Sequence, residues 1–306
     1  MKKTLLTLAL IATSAISFAQ DEAKKDDTPK DGWTRGGNIS LLFNQSAFNN
    51  DWTSGGVSNI AANLSVSYDF NYRKGPLTWD NKIIADYGLT KLKDEDFSRK
   101  TNDRFEFNSL IGKQIKESNW YYSFFLNFRT QMDQGFIYEK DEDGKDIRTS
   151  RTHFFSPAYL QFGPGMLWKK SDNLKVNIAP ATARFIFVDD KFTKAEGQAA
   201  IDAFNATGGY FGVDANETSR FEFGAAVSAY AKFDLMKNVS MENILNLYSN
   251  YLEDPQNVDI DYTANVVMKI NKYLSTNITF QAIYDDNAVG AFQIREVFGL
   301  GVNYGF

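Results

Sequence analysis

Residues 60–72 read "IAANLSVSYDFNY", and their alternation decides the fold. Ile60, Ala62, Leu64, Val66, Tyr68, Phe70 and Tyr72 share one face of an extended chain, while Ala61, Asn63, Ser65, Ser67, Asp69 and Asn71 share the other. So long a period of two exceeds the usual globular strand of about 5–6 residues. It suits the roughly 9–11 tilted residues with which a β-strand crosses a bilayer.

The same rhythm recurs along the chain. Leu77, Trp79, Ile83, Ala85, Tyr87 and Leu89 oppose Asp80, Lys82 and Asp86, and Phe105, Phe107 and Ile111 oppose Arg104, Glu106 and Asn108. In "WYYSFFLNFRTQ" Trp120, Tyr122, Phe124, Leu126 and Phe128 oppose Ser123, Asn127, Arg129 and Gln131, with Phe125 an apolar exception on the polar side. "SPAYLQFGPGMLW" and "LKVNIAPATARFIFV" alternate less cleanly, interrupted at Pro164 and Pro180, and the apolar set changes parity after Pro180. Proline cannot donate to a ladder, so bulges are expected at both. Clearer strands start near Phe221, Val239, Val258 and Leu274; Phe298 to Phe306 supply the last, and Ile39, Leu41 and Phe43 the first. The total is about twelve, an even number as a single-chain bacterial barrel requires.

Connector lengths test this independently, because such barrels alternate short periplasmic turns with longer outer loops. Short turns are expected near Lys74-Gly75, Lys116 to Asn119, Lys169 to Asn173, Lys237-Asn238 and Asn271-Lys272. Long ones are expected at 49–56, 92–103, 132–155, 189–218, 252–257 and 285–291. The predicted fold is therefore all-β: a transmembrane, antiparallel, up-and-down β-barrel over residues 33–306. Within its fourth outer loop "KFTKAEGQAAIDAFNATGG" predicts a short helix ended by Gly208-Gly209, folded either into the pore or on top of it.

The first residues, "MKKTLLTLALIATSAISFAQ", have the lysines, short apolar run and small residues of a secretory leader, with cleavage expected before Gln20. Residues 1–19 are thus expected to be a signal peptide, and 20–32 a charged, flexible periplasmic segment. Removing Lys2 and Lys3 with the leader leaves 31 basic against 38 acidic residues, a net charge near −7 that argues against a nucleic-acid partner. There is no cysteine, so neither a disulfide framework nor bacterial lipidation is available. The sequence calls for no metal or cofactor.

The lumen is expected to be lined by Asp80, Lys82, Asp86, Arg104, Glu106, Arg129, Arg220, Glu222, Lys232, Asp259, Asp261 and Lys269. Such mixed charge either lines a watery pore or pairs across the interior and fills it. Acidic outer loops such as "YEKDEDGKD" are solvated tips, with divalent bridging to lipopolysaccharide as the sharper alternative. Catalysis is not expected: His153 is the sole histidine, and Ser156, three residues on, would point to the opposite face of an extended strand.

Two stretches, "WTRGG" (33–37) and "WTSGG" (52–56), resemble phosphate loops only superficially, since neither supplies the Lys-Ser/Thr pair or a following helix. Trp33, Trp52, Trp79, Trp120 and Trp168 are expected in aromatic girdles at the two membrane interfaces, with ligand stacking as an alternative role for Trp52. The last residues, "GLGVNYGF", resemble the C-terminal signal read by the barrel-assembly machinery: Gly301, Tyr304 and Phe306, with Gly299 departing from its usual polar residue.

"FNQSAFNNDWTSGGVSNIAANLSVSYDF", residues 43–70, resembles the opening block of a Bacteroidota family, domain of unknown function 3078, in which an Asn/Ser-rich hairpin precedes Trp-x-x-Gly-Gly. The resemblance implies an outer-membrane barrel of a Gram-negative bacterium and supplies no catalytic residues. The expected function is a narrow channel for small solutes or ions. The alternative is a non-conducting structural or interaction subunit of an envelope complex, with an unknown protein partner.

Overall fold

The structure, a computed structural model, describes residues 31–47, 57–93, 95–271, 273–285 and 290–306. The expected leader, the charged segment up to residue 30, Trp52 and Gly55-Gly56 lie outside the described residues.

Twelve strands close into an antiparallel barrel: β1 (Gly32–Ser46), β2 (Asn59–Lys74), β3 (Leu77–Leu92), β4 (Arg99–Gln114), β5 (Trp120–Thr130), β8 (Ala158–Ser171), β9 (Leu174–Phe187), β10 (Ser219–Met236), β11 (Val239–Asn250), β12 (Asp259–Lys269), β13 (Leu274–Tyr284) and β14 (Gln293–Gly305). Between β5 and β8 the chain adds a separate hairpin, β6 (Gly135–Lys140) and β7 (Asp146–Thr152). Neighbours in sequence pair in order, and β1 pairs with β14 to close the cylinder, Leu41 opposite Val302. Closure satisfies the backbone groups that hydrocarbon would leave unpaired.

Alternation sorts the two surfaces. Asn63, Ser65, Ser67, Asp69 and Asn71 of β2 face an internal cavity. Outside, Leu41, Phe43, Leu64, Phe124 and Leu300 are 44–52% exposed. At roughly 25 cal/mol per Å² such a band would be costly in water, and lipid removes that cost. The four described tryptophans all sit at the short-turn end: Trp33 and Trp79 begin β1 and β3 with ring centroids 5.6 Å apart, and Trp120 is the cross-strand partner of Trp168. The girdle at the opposite end is built from phenylalanine and tyrosine, such as Phe223 against Tyr251 and Tyr284 against Phe292.

Of the two prolines expected to make bulges, only Pro180 does so. The registers of β9 with both β8 and β10 shift around Ala179 and Thr182, giving β9 one extra residue. Asn177 and Ala179 are buried before it, Thr182, Arg184 and Ile186 after it, so inward parity passes from odd to even. The bulged backbone swings over β8, where a Cβ on Gly163 would lie 2.3 Å from the Ala181 carbonyl oxygen and one on Gly165 2.6 Å from that of Ile178. Glycine is needed there because nothing larger fits. Pro164 faces outward in an unbroken ladder with β5, opposite Phe124.

The fourth outer connection, residues 188–218, carries the helix α1 (Gln198–Ala206), none of whose residues is buried. No residue of this connection lines the cavity. It sits on the mouth: Val213 is fully buried against Ile186 and Val188, and Tyr210 and Phe211 pack beside them. The β6–β7 hairpin, where only a loop tip is expected from sequence, leans on the β3–β4 connection through Arg148, whose guanidinium lies 4.7 Å from the Phe97 ring centre and 4.3 Å from that of Phe136.

Candidate functional site in the barrel lumen

The cavity encloses about 1000 Å³. Asp80, Lys82, Asp86, Arg104, Glu106, Arg129, Lys232, Asp259, Asp261 and Lys269 line it. Arg220 and Glu222 stand outside that lining, paired with each other at 2.9 Å near the mouth, with Glu222 buried.

Long side chains from opposite walls meet. In the twelve-strand ring β3 and β11 lie six places apart, yet Lys82 Nζ is 3.8 Å from Glu242 Oε1. β5 and β12 lie five places apart, and Arg129 Nη1 is 2.9 Å from Asp261 Oδ2. A twelve-stranded bore is wider than one that side chains fill outright, but one lysine and one glutamate suffice to bridge it.

Around Arg129 the polar groups form a transverse septum. On β4, Arg104 Nε donates to Glu106 Oε2 at 2.6 Å, and Asn108 and Asn127 donate to Glu106 Oε1 at 2.7 and 2.9 Å. Across the bore Gln281 donates to Asp261 at 3.0 Å and receives Arg295 at 3.1 Å. Tyr159 of β8 lies between two guanidiniums, Arg129 at 5.0 Å and Arg184 at 5.3 Å, and Tyr248 of β11 flanks Arg184 at 4.9 Å. Charge pairs removed from bulk water hold together only when their remaining polar atoms are also bonded, as these are in large part. Beneath the septum Phe125, the apolar exception of its strand, faces inward and packs on Ala179, Ala226 and Tyr248.

Several charges that line the lumen or pair with its lining escape the sequence pattern. Arg184 follows the bulge, and only restarting the parity at Thr182 puts it inside. Arg73 continues the odd-numbered inward set of β2 by one residue past the aromatic end, where a strand would be taken to stop. Lys169 falls in an expected short turn and Lys175 stands just beyond it in the next strand, outside the expected lumen charges, yet both reach Asp80, at 3.0 and 3.3 Å.

His153 and Ser156 are not on an extended strand. They close a tight turn, each backbone N–H donating to the other's carbonyl at 2.9 Å. Both touch Asp189: His153 Nε2 lies 2.8 Å from Asp189 Oδ2, and the Asp189 N–H donates to Ser156 Oγ at 2.9 Å. His153 Nδ1 faces the Phe154 carbonyl oxygen at 2.7 Å, so the ring joins two outer connections. Burial pushes the nearby Tyr210 phenol up to about 12.

Residues 43–136 match a family described as Protein of unknown function (DUF3078). That span contains the hairpin block, β2 to β5 and the start of β6. No curated protein matches the chain. Similar solved structures include the translocator domain of the autotransporter NalP from Neisseria meningitidis, at 10% identity and TM-score 0.41, covering 100% of this chain and 98% of that one. An outer membrane channel from Pseudomonas putida F1 is 10% identical with TM-score 0.39, covering 93% and 99%. The outer membrane channel DcaP of Acinetobacter baumannii is 12% identical with TM-score 0.31, covering 90% and 96%. At these scores the fold rests on the closed ladder itself and not on the likenesses.

Proposed function

We propose that this chain is an outer-membrane pore for small polar solutes or ions, narrowed by a septum of paired charges. One observation carries the reading: the barrel encloses about 1000 Å³ among side chains many of which are ionised or amide, space that an interior filled by its own side chains would not leave. A solute crossing it exchanges its hydration for Asn, Ser and charged groups, and its size is limited where Arg129 meets Asp261.

The same reading assigns residues 1–19 to a cleaved leader and the short turns to the periplasm. Lipid and lipopolysaccharide surround the outer face, and Gly301, Tyr304 and Phe306 are the residues offered to the assembly machinery. The resemblance at residues 43–70 supports a source among the Bacteroidota. Catalysis is no part of it, since the Ser156 hydroxyl and both His153 ring nitrogens are engaged in holding loops.

The bridges across the bore favour a second reading, a non-conducting barrel that serves an envelope complex through its outer loops. Planar-bilayer recordings separate the two. A pore gives discrete conductance steps that grow when Arg129 and Asp261 are both changed to alanine; a folded barrel silent in both forms ends the pore reading.

A further inference from the structure

We propose that the lumen is electrically bipolar along its axis and passes small cations more readily from the outer mouth inward than in the reverse direction. This deepens the pore reading and rests on it.

Two clusters of opposite design mark the ends. Near the outer mouth one cation stands among carboxylates: Arg184 lies 2.6 Å from Asp259, 3.5 Å from Glu222 and 3.6 Å from Asp285. Arg220 adds a second cation, bound by Glu222 and by Glu253. Among the described residues, four carboxylates against two guanidiniums leave an excess of two negative charges. Near the short turns one carboxylate stands among cations: Asp80 lies 2.5 Å from Arg73, 3.0 Å from Lys169 and 3.3 Å from Lys175. Asp172 joins Arg73 and Lys169 at 3.0 and 2.7 Å, so three cations meet two carboxylates and leave one positive charge.

The other lining charges cancel. In the septum Arg104, Arg129 and Arg295 balance Asp86, Glu106 and Asp261; below it Lys82 and Lys232 balance Asp69 and Glu242, and at the short turns Lys269 balances Asp234. β9 carries Lys175 near one end and Arg184 near the other, nine residues on, roughly 25–30 Å of strand at about 3.3 Å each. That is about three Debye lengths at physiological salt, so each end sets its own counter-ion population.

The direction follows from those populations. With the outer side positive, cations move in from the outer zone and anions move out from the inner zone, and both fill the neutral middle. With the voltage reversed, both zones draw their counter-ions away and the middle empties. Current therefore differs with polarity although the bath is the same on both sides.

The test is the current–voltage curve in symmetric potassium chloride, with barrel orientation fixed by one-sided insertion. It is run on the full chain and on the Arg129→Ala, Asp261→Ala variant, which removes one charge of each sign. The expected current is about twofold or more larger with the outer side positive. Asp259→Asn or Lys175→Gln should each reduce that ratio, and together bring it near one, in protein that still shifts on a gel when boiled. Conducting channels with equal currents at both polarities, or a ratio unmoved in the double variant, overturn the bipolar lumen and leave the pore standing. Silence of both chains overturns the pore itself, and this proposal with it.

Discussion

The ring of Phe306 lies over Gly37. Their backbones pair across the closing seam, Gly37 N–H donating to the Phe306 carbonyl at 2.8 Å and Phe306 N–H to that of Gly37 at 3.1 Å. A Cβ on Gly37 would stand 2.6 Å from the ring, so the missing side chain is what lets Phe306 reach Tyr68, its centroid 6.1 Å away. An aromatic covering a cross-strand glycine is a known way to pin register. The second glycine of "WTRGG" and the last residue of "GLGVNYGF" are thus two halves of one contact.

Gly37→Val should therefore weaken closure by about 1–3 kcal/mol, the usual cost of overpacking. Urea unfolding from lipid vesicles, with the boiled and unboiled gel forms as the folding check, measures it. Valine tolerated without loss of stability would mean the seam is held elsewhere.

Deleting Ala181 tests the bulge. Removing the one extra residue restores plain alternation, so Thr182, Arg184 and Ile186 keep facing inward and β9 stays in register with both neighbours. The expected result is a heat-resistant barrel on refolding, as for the conservative Ala181→Ser. A deletion variant that fails to refold would show that closure needs the bulge itself.

Glu106 tests the septum as a unit. Its carboxylate serves Arg104, Asn108 and Asn127, with the Glu106 and Arg104 side chains only 5% and 16% exposed. Glu106→Ala leaves an uncompensated guanidinium and should cost about 3–5 kcal/mol in urea unfolding; changing Arg104 and Glu106 together to methionine should cost much less. Equal losses in the two variants would refute the coupling.

A pH dependence is expected in the outer loops. The Lys191 backbone N–H, aided by His153 and opposed by slight burial, holds the Asp189 carboxyl below the usual carboxylate range. A lowered folded value means that the contact stabilises above the unfolded value and is lost as pH falls through the folded one. The junction between the two outer connections should then persist through mild acid and release only below about pH 4. Both His153 nitrogens face oxygens, Nε2 that of the Asp189 carboxylate and Nδ1 that of the Phe154 carbonyl. Limited proteolysis follows the release, and His153→Ala should expose the same cleavage sites at neutral pH. Unchanged cleavage in that variant would assign the junction to the Phe192 and Tyr210 stack instead.

The barrel is legible in the sequence because one face of every strand meets lipid and the other water, which imprints a period of two. Its strand number and the alternation of connector lengths follow from the same constraint. Legibility fails where that constraint lapses. The β6–β7 hairpin lies outside the closed ladder and mixes apolar and charged residues on both faces, so only its Asp143-Gly144 turn leaves a mark, Gly144 having φ +77°. Arg184 is hidden by a bulge that resets parity, and Lys169 and Lys175 by their place beside a turn. The fate of the helical insert depends on Val213 meeting Ile186 and Val188, a contact between distant segments that no local pattern announces.

Helix α1 buries none of its side chains and leaves the cavity wall to the strands. Its residues therefore answer to solvent and to whatever meets the cell from outside, not to the barrel. Among related chains this turn of polypeptide should drift fastest and accept foreign epitopes with least harm, making it the natural place to graft a tag for watching the living cell surface.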